Sequence, residues 1–146
     1  MHPKVGSGEI SVQRGDTDVD LLVHFDKPLG EPRWTYASLK NDQVSAIAIV
    51  SPAQPYEGEH CFQLGCAVPQ HFRKRGYAKS IVKSALDELT AGLSRNGVST
   101  FYVEAIVGKA NVASQHVAES VFGTPVKEGQ DKESAEPIFQ YILKVG

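Results

Sequence analysis

Between Val68 and Ser80 the sequence changes its hydrophobic period, and that switch constrains the fold more than any other feature of the chain. Cys61–Val68 is a short apolar run halted by Pro69, the composition of a strand. From Ala78 onward the apolar residues Ala78, Ile81, Val82, Ala85, Leu86 and Leu89 recur at spacings of three and four. That spacing places them in one stripe along a helix of about four turns. The helix runs out between Gly92 and Gly97, and Ser99–Val107 returns to strand composition. Strand, long helix and second strand form a βαβ unit, so the two strands are expected to lie parallel with a right-handed crossover.

The flanking segments extend this to a mixed α/β chain. Asp18–Phe25 reads as a strand that stops at Asp26-Lys27-Pro28. Trp34–Lys40 and Gln43–Ser51, joined by Asn41-Asp42 and ended by Pro52, read as a β-hairpin. Ala53–His60 is a loop. A second helix is expected over Asn111–Phe122, stopped by Gly123-Thr124-Pro125. Lys127–Pro137 reads as a polar loop, and Ile138–Val145 closes the chain as an alternating strand. No repeat or low-complexity tract is visible, and 146 residues suit a single domain spanning 1–146.

Composition narrows the class. Hydrophobic residues at 41% and charged residues at 22% belong to an ordinary globular protein. A net charge of −2 gives no bulk attraction to nucleic acid or to an anionic membrane. No apolar run approaches the ~20 residues of a membrane span. Met1–Gly15 is polar and Gly-rich, without the apolar stretch of a signal peptide, so a cytoplasmic protein is expected. Cys61 and Cys66 sit five apart in one strand, hence on opposite faces, and are not expected to pair. The histidines at 2, 24, 60, 71 and 116 show no metal-ligand spacing. Trp34 and Tyr36 share a strand face and are core or pocket residues; Tyr56 can line an acceptor pocket.

The chemistry concentrates at Val68–Ser80, where a strand ends and a helix begins. Such a junction presents unsatisfied backbone N–H groups at the positive end of a helix dipole, a site for phosphate. Gly76 lets the backbone turn and approach a ligand, and Ala78 keeps the first turn low beneath it. Arg73, Lys74 and Arg75 add positive charge beside the opening. A charge run at a helix start can equally be a solvated face. As a ligand, the segment suits the pyrophosphate of a coenzyme A or a dinucleotide. The Gly-x-x-x-x-Gly-Lys-Ser/Thr and Gly-x-Gly-x-x-Gly patterns are both missing, which removes the main support for a nucleotide fold.

Arg73-x-x-Gly76-x-Ala78, following Cys66-Ala67-Val68, resembles the coenzyme A pyrophosphate loop of the GNAT acetyltransferase superfamily. Val103–Val107 followed by Asn111-Val112-Ala113-Ser114 resembles that family's next strand and helix. The Asn-x-x-Ser form is closest to the branch that acetylates ribosomal-protein N-termini and aminoglycoside antibiotics. The resemblance covers about Cys61–Gly123. It implies a mostly antiparallel sheet whose two central parallel strands splay apart. Acetyl-CoA is then the cosubstrate, with Cys66, Ala67 and Val68 bonding the pantetheine and Arg73, Lys74, Arg75, Gly76, Tyr77, Ala78 and Lys79 cradling the pyrophosphate. The acceptor, a small amine or a peptide N-terminus, attacks directly with no covalent enzyme intermediate.

The resemblance also frames the proton transfers. Ser114 is the candidate donor to the leaving thiolate, because the position seven after Asn111, where the family often carries Tyr, is Ala118. Asn111 is expected to bond the pantetheine, cap the helix, or both. A Glu that relatives carry four residues before Cys66 is Phe62 here. That leaves Glu104, Glu59 and His60 as candidate bases, with Glu104 ranked first. The family's early helices have no counterpart in Gly15–Arg33, so the acceptor side is expected to be reduced, built from loops, or completed by a second copy in a homodimer. The alternative reading is a non-catalytic acyl-CoA-binding module.

Overall fold

Alternation of buried and exposed residues drives most of the strands into one sheet. The computed structural model describes residues 11–14 and 21–146. The start of the strand expected at Asp18 and most of the polar Met1–Gly15 lead lie outside the described residues. Among the described residues the strands are β1 (Ser11–Arg14), β2 (Leu21–Asp26), β3 (Arg33–Lys40), β4 (Gln43–Pro52), β5 (Cys61–Ala67), β6 (Phe101–Gly108), β7 (Lys127–Gln130) and β8 (Pro137–Val145). The helices are α1 (Tyr77–Arg95) and α2 (Val112–Phe122). The sheet order is β1-β2-β3-β4-β5-β6-β8-β7. Every pairing is antiparallel except β5 with β6, which is parallel, as the βαβ pattern requires.

The hairpin turn has its chemistry in the sequence. Asn41 and Asp42 both take left-handed φ values of 52° and 62°, the conformation a twisted two-residue turn needs and that Asn and Asp tolerate. Beside it Ser45 is a bulged residue, because Ser38 pairs with Ala46 while Leu39 pairs with Val44. Its hydroxyl is buried, donates to the Ser38 carbonyl at 3.2 Å and meets the Ser38 hydroxyl at 2.9 Å. The bulge therefore leaves no polar group stranded there.

Both helices cover one face of the sheet. The α1 stripe of Ile81, Val82, Ala85 and Leu89 packs on Tyr36, Ala46, Ala48, Val50, Phe62, Leu64, Phe101 and Val103. Ala118 of α2 packs on Ala105, Val107 and Tyr141. Trp34 and Tyr36 thus belong to the core side. The Tyr36 phenol is pushed up by burial and by the nearby Glu88 carboxylate. Among the described residues no α-helix precedes Tyr77, and only a one-turn 3-10 helix at Pro28–Gly30 interrupts the early strands. None of the described helices is long and apolar enough to cross a membrane.

One expectation changes. Lys127–Pro137 is not all loop, because Lys127–Gln130 forms β7 on the edge of the sheet. Its four residues are all exposed, so no apolar alternation betrays the strand and only the ladder to β8 holds it. Helix α1 ends at Arg95, inside the Gly92–Gly97 stretch where the sequence runs it out, with Leu93 packed against the core.

Candidate active site

The parallel pairing of β5 and β6 is brief. It joins Cys61 to Tyr102, Phe62 to Val103 and Gln63 to Glu104, and then stops although both strands continue. Beyond that point each strand stays bonded to its outer neighbour, β5 to β4 as far as Ala67 and β6 to β8 as far as Gly108. The two strands therefore form a fork held open from outside. A cavity of about 190 Å³ lies in it, between Leu64, Gly65 and Cys66 on one arm and Ala105–Gly108 on the other. On the helix-free face the fork is open at Gly65, where a Cβ would meet nothing within 4 Å.

A second cavity, of about 650 Å³, opens at the start of α1 and shares Cys66, Asn111, Ser114 and Val117 with the first. Gly76 precedes α1 with φ 79° and ψ 7°, a left-handed conformation that glycine adopts without strain, and no side chain caps the helix. The first N–H groups of α1 therefore lack a side-chain acceptor, and Gly76, Tyr77, Ala78 and Lys79 all line the cavity. No acidic residue occupies the first turn. Arg73 and Lys74 also line it. Arg73 Nε donates to the Val68 carbonyl at 3.0 Å, tying the loop back to the end of β5. Tyr77 is fixed edge-on against buried Phe72 at 5.8 Å, with the Lys40 ammonium over its ring. The arrangement is a rigid, cationic, donor-rich concavity, matched to a large anion with an apolar arm.

Most residues singled out in the sequence meet here. Cys66, Ala67, Val68, Asn111 and Ser114 line the large cavity together with the α1 start. Arg75 does not, although it sits in the same charge run; Lys74 at φ 64° redirects the chain beside it. Asn111 is the N-cap of α2, its Oδ1 accepting from the Ser114 N–H at 3.1 Å. Among the described residues the Ser114 hydroxyl bonds nothing, and Ser114 lines both cavities. Glu104 lines neither cavity. It alternates with buried Val103 and Ala105, which places it on the helix-free face at the crotch of the fork. Phe62 and Ala118 are buried in the core. Glu59 closes a small bridge with Tyr56, whose ring packs on Tyr102 at 4.9 Å, and the His60 carbonyl accepts from the Tyr102 N–H.

Three further residues lie in or beside the cavities without a signal in the sequence that marks them. His116 lines the large cavity from α2. Gln115 donates to the carbonyls of Gly108 and Lys109, fixing the turn that follows the fork. Gln140 of β8 donates its Nε2 to Glu104 Oε2. Among the described residues no group of three metal-ligating side chains forms.

The cysteines face opposite sides as their spacing requires, and both are free. Burial pushes the Cys66 thiol up, whereas Cys61 is pushed up to about 11 by burial and then by the Glu104 charge. At pH 8 Cys61 is then held as the thiol. A disulfide reagent at pH 8 should modify Cys66 first and Cys61 only on unfolding. Saturating desulfo-coenzyme A should slow the Cys66 reaction at least ~10-fold by filling the cavity. Equal rates with and without the ligand would show that the cavity does not take it.

The sequence profile of the acetyltransferase (GNAT) family matches residues 10–124. No curated protein matches the sequence significantly. Solved structures similar in fold include a GNAT-family acetyltransferase from Streptococcus pneumoniae, with TM-score 0.59 at 16% identity over 78% of this chain and 67% of the other. The ribosomal-protein-S18-alanine N-acetyltransferase from Escherichia coli gives TM-score 0.55 at 19% identity, over 77% and 68%. A Bacillus subtilis acetyltransferase in complex with CoA gives TM-score 0.59 at 14% identity, over 78% of both chains.

Proposed function

The chain belongs to the acetyltransferase (GNAT) family, and from that premise we propose that it moves the acetyl group of acetyl-coenzyme A onto a primary amine by direct attack within a ternary complex. The whole of residues 1–146 is read as one acetyltransferase domain. The observation that carries the reading is the continuity of two features, the uncapped left-handed start of α1 and the open fork between β5 and β6, which share walls at Cys66, Asn111 and Ser114.

The residues fit the cosubstrate. The free N–H groups at Gly76–Lys79 and the charges of Arg73, Lys74 and Lys79 suit a pyrophosphate. The backbone of Cys66–Val68, on the inner arm of the fork, suits the pantetheine amides, and an N–H there would polarise a thioester carbonyl. Acetyl-CoA supplies an activated acyl group with a thiolate leaving group. Glu104 would take the amine proton and Ser114 would return one to the thiolate. These two residues lie on opposite sides of the fork, which suits an acceptor entering by the helix-free face while the cosubstrate fills the helix side. The acceptor is a small amine or a peptide N-terminus.

Calorimetric titration with acetyl-CoA, against NADH as control, tests the first half. Selective binding in the micromolar range is expected, and thiol release in the presence of a panel of amines tests the second half. Binding of neither ligand, or of NADH equally, would remove the reading. Tight binding without turnover of any amine would favour an acyl-CoA-binding module, for which the apolar Phe62 and Ala118 are the motivating residues.

A further inference from the structure

Glu104 is held by a neutral donor instead of a cation, and that donor comes from β8, the outer neighbour of β6. In the β6–β8 ladder Glu104 stands opposite Ile142, and Gln140 stands opposite Ile106. Gln140 is thus the diagonal neighbour of Glu104 on the helix-free face, a separation that a long side chain spans. Its Nε2 reaches Glu104 Oε2. Among the described residues Oε1 of Glu104 has no hydrogen-bond partner and neither oxygen meets a cation.

Asp26 on the same sheet provides the contrast. Arg33 donates to it twice, at 3.0 and 2.6 Å, and holds its carboxyl below the usual carboxylate range. A carboxylate neutralised in that way is a weak proton acceptor. An amide donor fixes the rotamer without cancelling the charge, and it leaves one oxygen open. Resting on the reading of Glu104 as the base, we infer that Gln140 is the positioning residue for proton removal from the acceptor amine. In the step it serves, an N–H bond of the amine breaks and an O–H bond forms at Glu104 Oε1. The electron pair released from that N–H bond makes the new C–N bond at the thioester carbonyl, the C–S bond breaks, and its electron pair leaves on the coenzyme A sulfur.

The other titratable groups around Glu104 are few. Cys61 approaches from β5, where its thiol feels the Glu104 charge. Tyr102 shares the strand face and carries the Tyr56 ring against it. Lys144 stands opposite Tyr102 on β8, and Lys127 of β7 stands opposite Gln140. Gln140 therefore also lies between Glu104 and the Lys127 position.

The test uses the full chain and an amine that it acetylates, with kcat and kcat/KM measured at one pH and desulfo-coenzyme A affinity measured by calorimetry. Gln140→Leu should lower kcat about 10-fold and leave cosubstrate affinity unchanged. In a Glu104→Gln background the same change should cost less than about 2-fold, because Gln140 acts through that carboxylate alone. A purely structural role would lower melting temperature and would cost the same factor in both backgrounds. An equal cost in both backgrounds, or an unchanged kcat in Gln140→Leu, overturns the inference. Glu104→Gln separates the layers: if it keeps the parent rate, the base assignment fails and takes this inference with it. If it is inactive while Gln140→Leu behaves as the parent, only the inference fails.

Discussion

The Arg73→Glu/Gly76→Glu double variant should lose coenzyme A binding by 100-fold or more while the fold stays intact. A 100-fold loss corresponds to about 2.7 kcal/mol, and two changes add to it. Glutamate at position 76 must take φ 79°, where a side chain costs roughly 1–2 kcal/mol. A Cβ there meets nothing within 4 Å, so nothing is pushed aside. The fold tolerates such strain elsewhere, since Lys74, Asn41 and Asp42 already sit at positive φ. The larger effect is electrostatic. A carboxylate at the head of α1 competes for the N–H groups meant for the ligand and repels its phosphates. Arg73→Glu removes a cation, adds a second anion to the cavity wall and breaks the bond to the Val68 carbonyl. Calorimetry reads the affinity, and a thermal melt by circular dichroism reads the fold. Gly76→Ala separates strain from charge: it should weaken binding far less. A double variant that binds like the parent would mean that the α1 start does not hold the phosphates.

How far such a site can be read ahead of the structure depends on which physical signal each part leaves in the sequence. The α1 stripe from Ile81 to Leu89 and the alternation in β6 and β8 come from burial on one face, so periodicity finds them. The turn at Asn41-Asp42 and the stop at Gly123 are local chemistry and were equally legible. The edge strand Lys127–Gln130 buries nothing and leaves no pattern. The fork is expected through the family resemblance and leaves no mark in local pattern. It is a property of where a ladder between distant strands stops, and neither Leu64 nor Ala105 carries a local mark of it. The charge run Arg73-Lys74-Arg75 was read as a unit, but a single left-handed residue in it sends Arg73 to the cavity wall and not Arg75. Gln140 illustrates the last limit, since it looked like one more polar residue in an alternating strand until register set it diagonal to Glu104.

Glu104→Gln carries the second large effect, a fall in kcat of about 100- to 1,000-fold with cosubstrate affinity unchanged, in line with the ~10²–10⁴ that a positioned base contributes. The affinity should hold because Glu104 lines neither cavity and stands on the opposite face from the α1 start. Glutamine is nearly isosteric, so the Gln140 contact can persist with one amide bonded to the other, and the loss falls on proton transfer. An amine bound as the ammonium has no electron pair for attack, so removal of its proton precedes or accompanies C–N bond formation. Two corollaries distinguish a lost base from a distorted site. The deficit should shrink as pH rises, because solution then supplies more free amine, and it should shrink for acceptors with a lower amine pKa at any one pH. Glu59→Gln and His60→Gln should leave kcat within a few-fold of the parent. Glu59 takes part through a backbone bridge to Tyr56 and His60 through its carbonyl, which these substitutions preserve. A deficit independent of pH and acceptor pKa would point to lost geometry. Full activity in Glu104→Gln would move the base to the loop before β5, or to water reached through the fork.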